Sequence, residues 1–340
     1  MGLKLRGLVG ALKDTASFGK AALLSPPAAP SAAAAAASLA VLRATPHHPW
    51  SSPPPARHLE ALLSFGRGSR LAAAALVGAL AARLRSTRDP AVALKALLSL
   101  HLLLSRGAFI LRDQIPPLLL RHPSSGHNPL ALSSFPLGSS PSSWALAAWV
   151  RWFARLLELL LLLPPAPSDP DRLASLLNPD LVAELEPLVA VAEEIRRAPA
   201  PTSSSSSSSS PLHNMLIRET IRVAEEDRIA AEREIGARVR ELRERVDSLG
   251  FADSVELACL LKRLEGGADR KGTVADDPFW GAVAELRERV EGAVAAKGEE
   301  ERRVRRRERP MSESARISGR VESALGAGPV RFGSARWLQR

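Results

Sequence analysis

Apolar residues recur at three- and four-residue steps along much of the chain, a spacing that places them on one face of an α-helix. The clearest such stripe consists of Val239, Leu242, Val246 and Leu249. Two other segments, residues 90–106 and 144–163, are apolar almost all round, as helices are when neighbours cover every side. The pattern therefore predicts amphipathic outer helices that pack against apolar central ones.

Four of the predicted helices share one start signal, an Asp or Asn followed by Pro. The pairs are Asp89-Pro90, Asp169-Pro170, Asn178-Pro179 and Asp277-Pro278. The first side chain can cap a free backbone N–H, and proline lacks the N–H that the first turn leaves unpaired. Between helices, the Pro-rich residues 46–55 predict a loop, and the Ser-rich residues 201–211 predict a flexible tether.

The composition favours helices over strands. Hydrophobic residues make up 46% of the 340 residues but aromatics only 4%, with no tyrosine, so Leu, Ala and Val supply the apolar volume. We predict an all-α fold in which eight to ten successive helices stack into a curved solenoid. We expect residues 1–298 to form one helical domain containing the loop 201–211, and residues 299–340 to form a basic, disordered tail.

The formal net charge of +10 favours a polyanionic partner, such as a nucleic acid or an acidic lipid surface. The single cysteine, Cys259, excludes an internal disulfide and a cysteine-based zinc site, and we interpret it as a small core residue. The best candidate for a membrane span, residues 156–163, is under half of the roughly 20 apolar residues that a bilayer requires. It is predicted to be a buried helix.

Residues able to carry catalysis are few. His101 lies in a strongly apolar helix and is interpreted as a core histidine, while His47, His48 and His58 lie in or beside the Pro-rich loop. No Gly-rich phosphate loop, nucleophile elbow or metal-binding helix motif occurs in the sequence. We therefore expect no enzymatic activity, no cofactor and no metal site.

A group of basic residues flanks the loop 44–56: Lys20, Arg43, Arg57 and His58. A multiply phosphorylated headgroup requires several cations that converge on a small volume, which a helix–loop–helix corner can provide. On residue types alone, a solvated loop with unrelated charges fits equally well. Residues 3–24 additionally predict a short basic amphipathic helix, whose Lys4, Arg6 and Lys13 are candidate lipid contacts.

Several short motifs resemble the ANTH-domain family, the clathrin-assembly adaptors, and in particular its shorter plant members. The first are Leu42-Arg43-Ala44-Thr45 with Pro46-His47-His48-Pro49, followed by Arg57-His58-Leu59. The others are Val92-Ala93-Leu94-Lys95 with His101, residues 107–114, Trp149-Val150-Arg151-Trp152, and the opening residues 12–17 with Lys20-Ala21. The resemblance covers roughly residues 5–160, and residues 170–295 only as a helical pattern.

The resemblance implies a right-handed α-helical solenoid that binds phosphatidylinositol 4,5-bisphosphate. Arg43 stands at the family's first lysine, Arg57 and His58 at its closing basic pair, and Lys20 would be an accessory cation. This sequence departs from the family in having arginine at the first position and a spacer that is longer by about two residues.

The resemblance also implies an adaptor of endocytosis and vesicle traffic that recruits or assembles clathrin coats and selects SNARE cargo. Its expected location is the cytoplasmic face of coated pits at the plasma membrane, of coated vesicles and of the Golgi apparatus. Expected partners are phosphoinositide membranes, clathrin, adaptor complexes and vesicle SNAREs, with no nucleic acid. The triplet Asp277, Pro278 and Phe279 matches an appendage-binding motif, although Asp-Pro is equally a helix start and Phe279 can pack the final helix.

Two alternatives remain open at this stage. A basic helical nucleic-acid-binding protein is supported by the net charge, and it would place basic residues along one exposed helix. A plastid-targeted helical protein is suggested by the Ala-, Ser- and Pro-rich N-terminus, which resembles a transit peptide.

Overall fold

The computed structural model describes residues 9–10, 12–16, 19, 29–120, 128–137, 140–164, 169–200, 214–266 and 277–308. Residues 9–10 and 12–16 are helical, and the later ranges contain twelve α-helices and no strand. These are α1 Ala29–Ala44, α2 Ala56–Ser64, α3 Arg70–Ser86, α4 Pro90–Arg106, α5 Phe109–Leu120, α6 Pro141–Leu160, α7 Pro170–Ser175, α8 Asn178–Ala183, α9 Leu185–Arg196, α10 Met215–Arg245, α11 Phe251–Glu265 and α12 Pro278–Glu308. The all-α prediction is confirmed, and the count exceeds ten partly because residues 170–196 divide into three helices.

Three of the four predicted helix starts are confirmed by their capping bonds. The Asp89 carboxylate accepts hydrogen bonds from the backbone N–H groups of Ala91 and Val92, at 2.9 and 3.3 Å. Asp169 and Asp277 cap α7 and α12 in the same way. Asn178 was wrongly predicted as a cap: it is the first residue of α8, and its side-chain amide donates to the Ser248 carbonyl at 3.2 Å.

Helices pack on the helix two positions further along: α1 contacts α3, α3 contacts α5, and α4 contacts α6. This alternation is the arrangement expected of stacked helical hairpins. α4 is buried on nearly all sides, as its uninterrupted apolar sequence predicts. The α6 aromatics Trp149, Trp152 and Phe153 are also buried, and the Trp152 indole N–H donates to the Glu194 carbonyl at 2.7 Å. Trp144, the first residue of the segment 144–163 whose apolar pattern is typical of a helix covered on every side, is instead 55% exposed.

His101 is confirmed as a core residue with a satisfied ring. Its Nε2 lies 2.9 Å from the Asp227 carboxylate, which joins α4 to α10, and its ring centroid is 5.9 Å from that of Phe153. The interpretation of Cys259 as a core residue is wrong, since its side chain is exposed. Leu257, Ala258, Leu260 and Leu261 form the buried face of α11, and Cys259 lies on the opposite face.

The described residues up to Val294 belong to one compact unit, while α12 continues through residues 295–308 in a second unit. The tether 201–211 and residues 309–340 lie outside the described residues, and α12 runs across the expected boundary at residue 298. The division into a domain and a disordered tail stays a prediction. Among the helices that are described, none combines the length and apolar character needed to cross a membrane.

Candidate anion-binding site

The loop between α1 and α2, residues 45–55, is anchored where it leaves α1. Thr45 is fully buried, and its hydroxyl donates to the Val41 carbonyl at 2.8 Å. The Arg83 guanidinium of α3 donates to the Thr45 hydroxyl at 3.2 Å and to its carbonyl at 3.0 Å. Arg83 therefore holds the first residue of the loop against α3.

Lys95 of α4 anchors the part of the loop that contains Pro46 and Pro49. Its side chain leaves α4 and is 1% exposed, and its ammonium donates to the carbonyls of Pro46 at 2.8 Å and Pro49 at 2.7 Å. Burial lowers the pKa of Lys95 to about 8, although the negative charges of Asp89 and Asp14 raise it. A lysine in a mostly apolar helix thus fixes the positions of two proline carbonyls in the loop.

Two further contacts hold the loop against the N-terminal segment and against α10. The Asp14 carboxylate accepts from the backbone N–H of His47 at 3.0 Å and lies 2.6 Å from the Nδ1 atom of the same residue. The Ser51 carbonyl accepts from the N–H of Leu216 in the first turn of α10, at 2.8 Å. The loop is therefore bound to the N-terminal segment, α3, α4 and α10 together.

The anchored loop brings three of the predicted site residues to one corner. Arg43 is exposed at the end of α1, while Arg57 is exposed and His58 half-buried in the first turn of α2. The Arg57 Nε–H donates to the His58 Nε2 atom at 3.4 Å. The pKa of His58 is lowered by burial first, and then by the positive charges of Arg57 and Arg43. We call Arg43, Arg57 and His58 the basic corner.

The other predicted lipid contacts are not part of this corner. Lys13 is exposed on the helical residues 12–16 and lines a cavity whose described lining includes none of the three corner residues. Lys4, Arg6 and Lys20 lie outside the described residues, so their roles stay predictions.

Comparison with known proteins identifies the family of the domain that contains this corner. Residues 37–161, which include the loop and the basic corner, match the model of the ANTH domain. A protein of Arabidopsis thaliana is 35% identical over 97% of this chain and 93% of its own length. The chain belongs to the ANTH-domain family. This confirms the resemblance found in its motifs.

Two further relatives from Arabidopsis show how the ANTH-domain chain compares in length. One is 29% identical over 85% of this chain and 87% of its own length. The other is 35% identical over 45% of this chain but only 25% of its own length, so that relative is much longer. All three carry the name "putative clathrin assembly protein".

The supporting residues of this ANTH-domain chain were missed as such by sequence reasoning. Lys95 was noticed as part of a motif, but Arg83 and Asp14 were assigned no role. A usable signal existed for Lys95: a lysine in the interior of a helix that is apolar nearly all round has to find acceptors inside the protein. No comparable local signal marks Asp14, since its partner His47 is 33 residues away.

The triplet Asp277, Pro278 and Phe279 serves as a helix start in the structure. The Asp277 carboxylate accepts from the N–H of Phe279 at 2.9 Å, and the half-buried Phe279 ring lies 5.0 Å from that of Trp280. This matches the structural interpretation of the triplet, and appendage binding stays a prediction.

We expect Lys95→Met to destabilise the protein, because it removes the donor from two carbonyls while keeping an unbranched side chain that is one atom shorter. Charged hydrogen bonds of this kind contribute about 1.5–3 kcal/mol each, so a loss of about 2–4 kcal/mol in the free energy of unfolding is expected. Urea denaturation measures it. The matched control is Lys262→Met on α11, whose exposed pair with Glu291 at 3.0 Å should contribute less than about 1 kcal/mol. Equal stability of the two variants would contradict the anchoring of the loop by Lys95.

The lowered pKa of Lys95 also predicts a pH dependence of stability. Between about pH 8 and pH 10.5 the unfolded chain binds a proton at Lys95 that the folded chain does not. Since stability rises with pH wherever the unfolded state binds more protons, the wild type should gain stability over this range relative to Lys95→Met. The difference between the two proteins cancels other titrating groups, and denaturation at pH 7.5 and pH 9.5 measures it. A difference that stays flat or falls would show that Lys95 keeps its ordinary pKa.

Proposed function

We propose that the protein is a non-enzymatic adaptor that binds phosphoinositides at a membrane and takes part in clathrin coat assembly. The observation that carries the proposal is the convergence of Arg43, Arg57 and His58 at one exposed corner of an anchored loop. The coat role is supported by the relatives, which are named as clathrin assembly proteins and which this chain matches over most of its length.

The chemistry of the basic corner suits a phosphorylated ring. Guanidinium groups donate pairs of parallel, charge-assisted hydrogen bonds to phosphate oxygens. Because the loop is held by Lys95 and Arg83 before any ligand arrives, little ordering is required on binding. Each basic residue near an anionic surface contributes on the order of 1 kcal/mol, so a few cations give weak, reversible recruitment.

Other parts of the proposal rest on family resemblance and the N-terminal sequence. Lys4, Arg6, Lys13 and Lys20 would contact neighbouring anionic lipids. The body of the domain would present surfaces to clathrin, adaptor complexes and vesicle SNAREs on the cytoplasmic face of coated pits, coated vesicles and the Golgi apparatus.

The long helix α10 does not favour the nucleic-acid alternative. On its exposed face, Arg222 pairs with Glu219 and Glu226, and Arg228 pairs with Glu225 and Glu232. Nearby carboxylates neutralise these arginines, so they do not form the uninterrupted basic stripe that a phosphate backbone requires.

Reversing both arginines of the basic corner tests the proposed function. We expect Arg43→Glu with Arg57→Glu to weaken cosedimentation with liposomes containing phosphatidylinositol 4,5-bisphosphate by about tenfold or more, because attraction becomes repulsion. The matched control is Arg240→Glu with Arg289→Glu, which makes the same charge change at exposed positions on α10 and α12. Equal pelleting by the two double variants would remove the basic corner from the binding site.

His58 should make the affinity depend on pH. Its lowered pKa leaves the ring neutral at pH 7.5, and a bound polyanion favours the protonated ring, so binding takes up a proton and strengthens as pH falls below 6.5. Phosphate groups titrate in the same range, so variants must be compared at each pH on identical liposomes. We expect His58→Gln to lose affinity relative to wild type at pH 5.5 but little at pH 7.5. The same loss of affinity at pH 5.5 and at pH 7.5 would contradict a role for the protonation of His58.

A further inference from the structure

A cavity of about 770 Å³ lies beside the anchored loop and includes none of the three residues of the basic corner. Its described walls come from the N-terminal segment, the loop, the residues that follow α3, and the first residues of α4 and α6. The N-terminal residues are Val9, Gly10, Lys13 and Ala16, and the loop residues are His47, His48 and Trp50. We call it the α4–α6 cavity. Its size lies within the range of small-molecule sites.

The charges around the α4–α6 cavity are unevenly satisfied. Its acidic lining residue Asp89 is engaged by the backbone N–H groups of Ala91 and Val92. Next to the cavity, Asp14 is engaged by the N–H and ring of His47. Within the part of the chain that the structure describes, Lys13 and Arg88 line the cavity, are exposed and form no ion pair. The described lining thus contains three cations, Lys13, Arg83 and Arg88, against one carboxylate, Asp89, so the net charge facing the cavity is positive.

The polar lining adds donors to these two cations. Ser86, Ser142 and Ser143 contribute hydroxyl groups to the lining. The residues at the starts of α4 and α6 also line the cavity, but Asp89 and Ser140 already cap these two helices. Arg83 lines the cavity as well, with its guanidinium committed to Thr45. Cations and hydroxyl groups together match a compact ligand that carries several negative charges.

We propose that the α4–α6 cavity binds a second phosphorylated inositol ring, with Lys13 and Arg88 as its main cationic contacts. The proposal takes its ligand class from the proposed function, but it rests on different residues and stands or falls separately. The ring can come from a lipid headgroup or from a soluble inositol phosphate, since the phosphate chemistry is the same. One chain would then hold two phosphorylated rings, one at the basic corner and one in the α4–α6 cavity.

Isothermal titration of the full chain with inositol 1,4,5-trisphosphate tests the cavity. We expect two ligands per wild-type chain, and one for Lys13→Ala with Arg88→Ala, whose remaining cavity affinity falls by about tenfold or more. The matched control, Arg67→Ala with Arg85→Ala, removes the same charge from exposed positions outside the lining and should still bind two. Because all four side chains are exposed, both variants should fold, and equal melting temperatures would verify this.

The outcomes separate the two proposals. Unchanged binding by the Lys13/Arg88 variant overturns the cavity site, whatever the basic corner does. If Arg43→Glu with Arg57→Glu retains both ligands while the Lys13/Arg88 variant loses one, the cavity stands and the basic corner fails. Liposomes distinguish the source of the ring: weaker pelleting by the Lys13/Arg88 variant identifies a lipid headgroup, and unchanged pelleting with one titration site lost identifies a soluble inositol phosphate.

Discussion

The candidate site depends on one buried ammonium group. Lys95 gives up solvation to donate to the carbonyls of Pro46 and Pro49, and the lowering of its pKa to about 8 reflects that loss. In return, a Pro-rich segment with few backbone donors of its own acquires a single path. Since Arg43 precedes this segment and Arg57 follows it, their spacing is set by a contact that neither residue makes. The geometry of the basic corner is therefore determined within the core, one layer below the surface that carries the charge.

The net charge of +10 becomes informative only when paired charges are set aside. The exposed arginines of α10 lie beside glutamates, and Arg238, almost fully buried, is held by Glu184 and Glu234. Around the loop the relation differs, because four cations, Lys13, Arg83, Arg88 and Lys95, lie near two carboxylates, Asp14 and Asp89. The two carboxylates act on Arg83 and Lys95, the buried anchors of the loop. An excess of positive charge therefore remains around the loop that follows α1.

Sequence reasoning predicted what depends on neighbours along the chain and failed where a distant contact decides. The capping of Asp89 and Asp277 follows from residues two or three positions away, and both were predicted. Asn178 has the same local sequence, but Ser248, 70 residues away, takes its amide. Cys259 sits in an apolar run whose helical period places it outwards, a direction that hydrophobicity alone does not reveal. The members of the basic corner were identified through a motif, whereas the contacts that align them, from Lys95, Arg83 and Asp14, required the fold.

The loop has consequences for how two binding sites would communicate. It forms a wall of the α4–α6 cavity through His47, His48 and Trp50, and its two ends carry the basic corner. The loop is held by Lys95, Arg83 and the N-terminal segment, so it does not need to move when a ligand occupies the basic corner or the α4–α6 cavity. A ligand at one of these sites therefore changes no contact at the other. Coupling requires a difference in affinity between two arrangements of the wall, and these anchors favour only one. Two rings would therefore bind independently, and their combined effect on membrane attachment would come from simultaneous engagement of one surface.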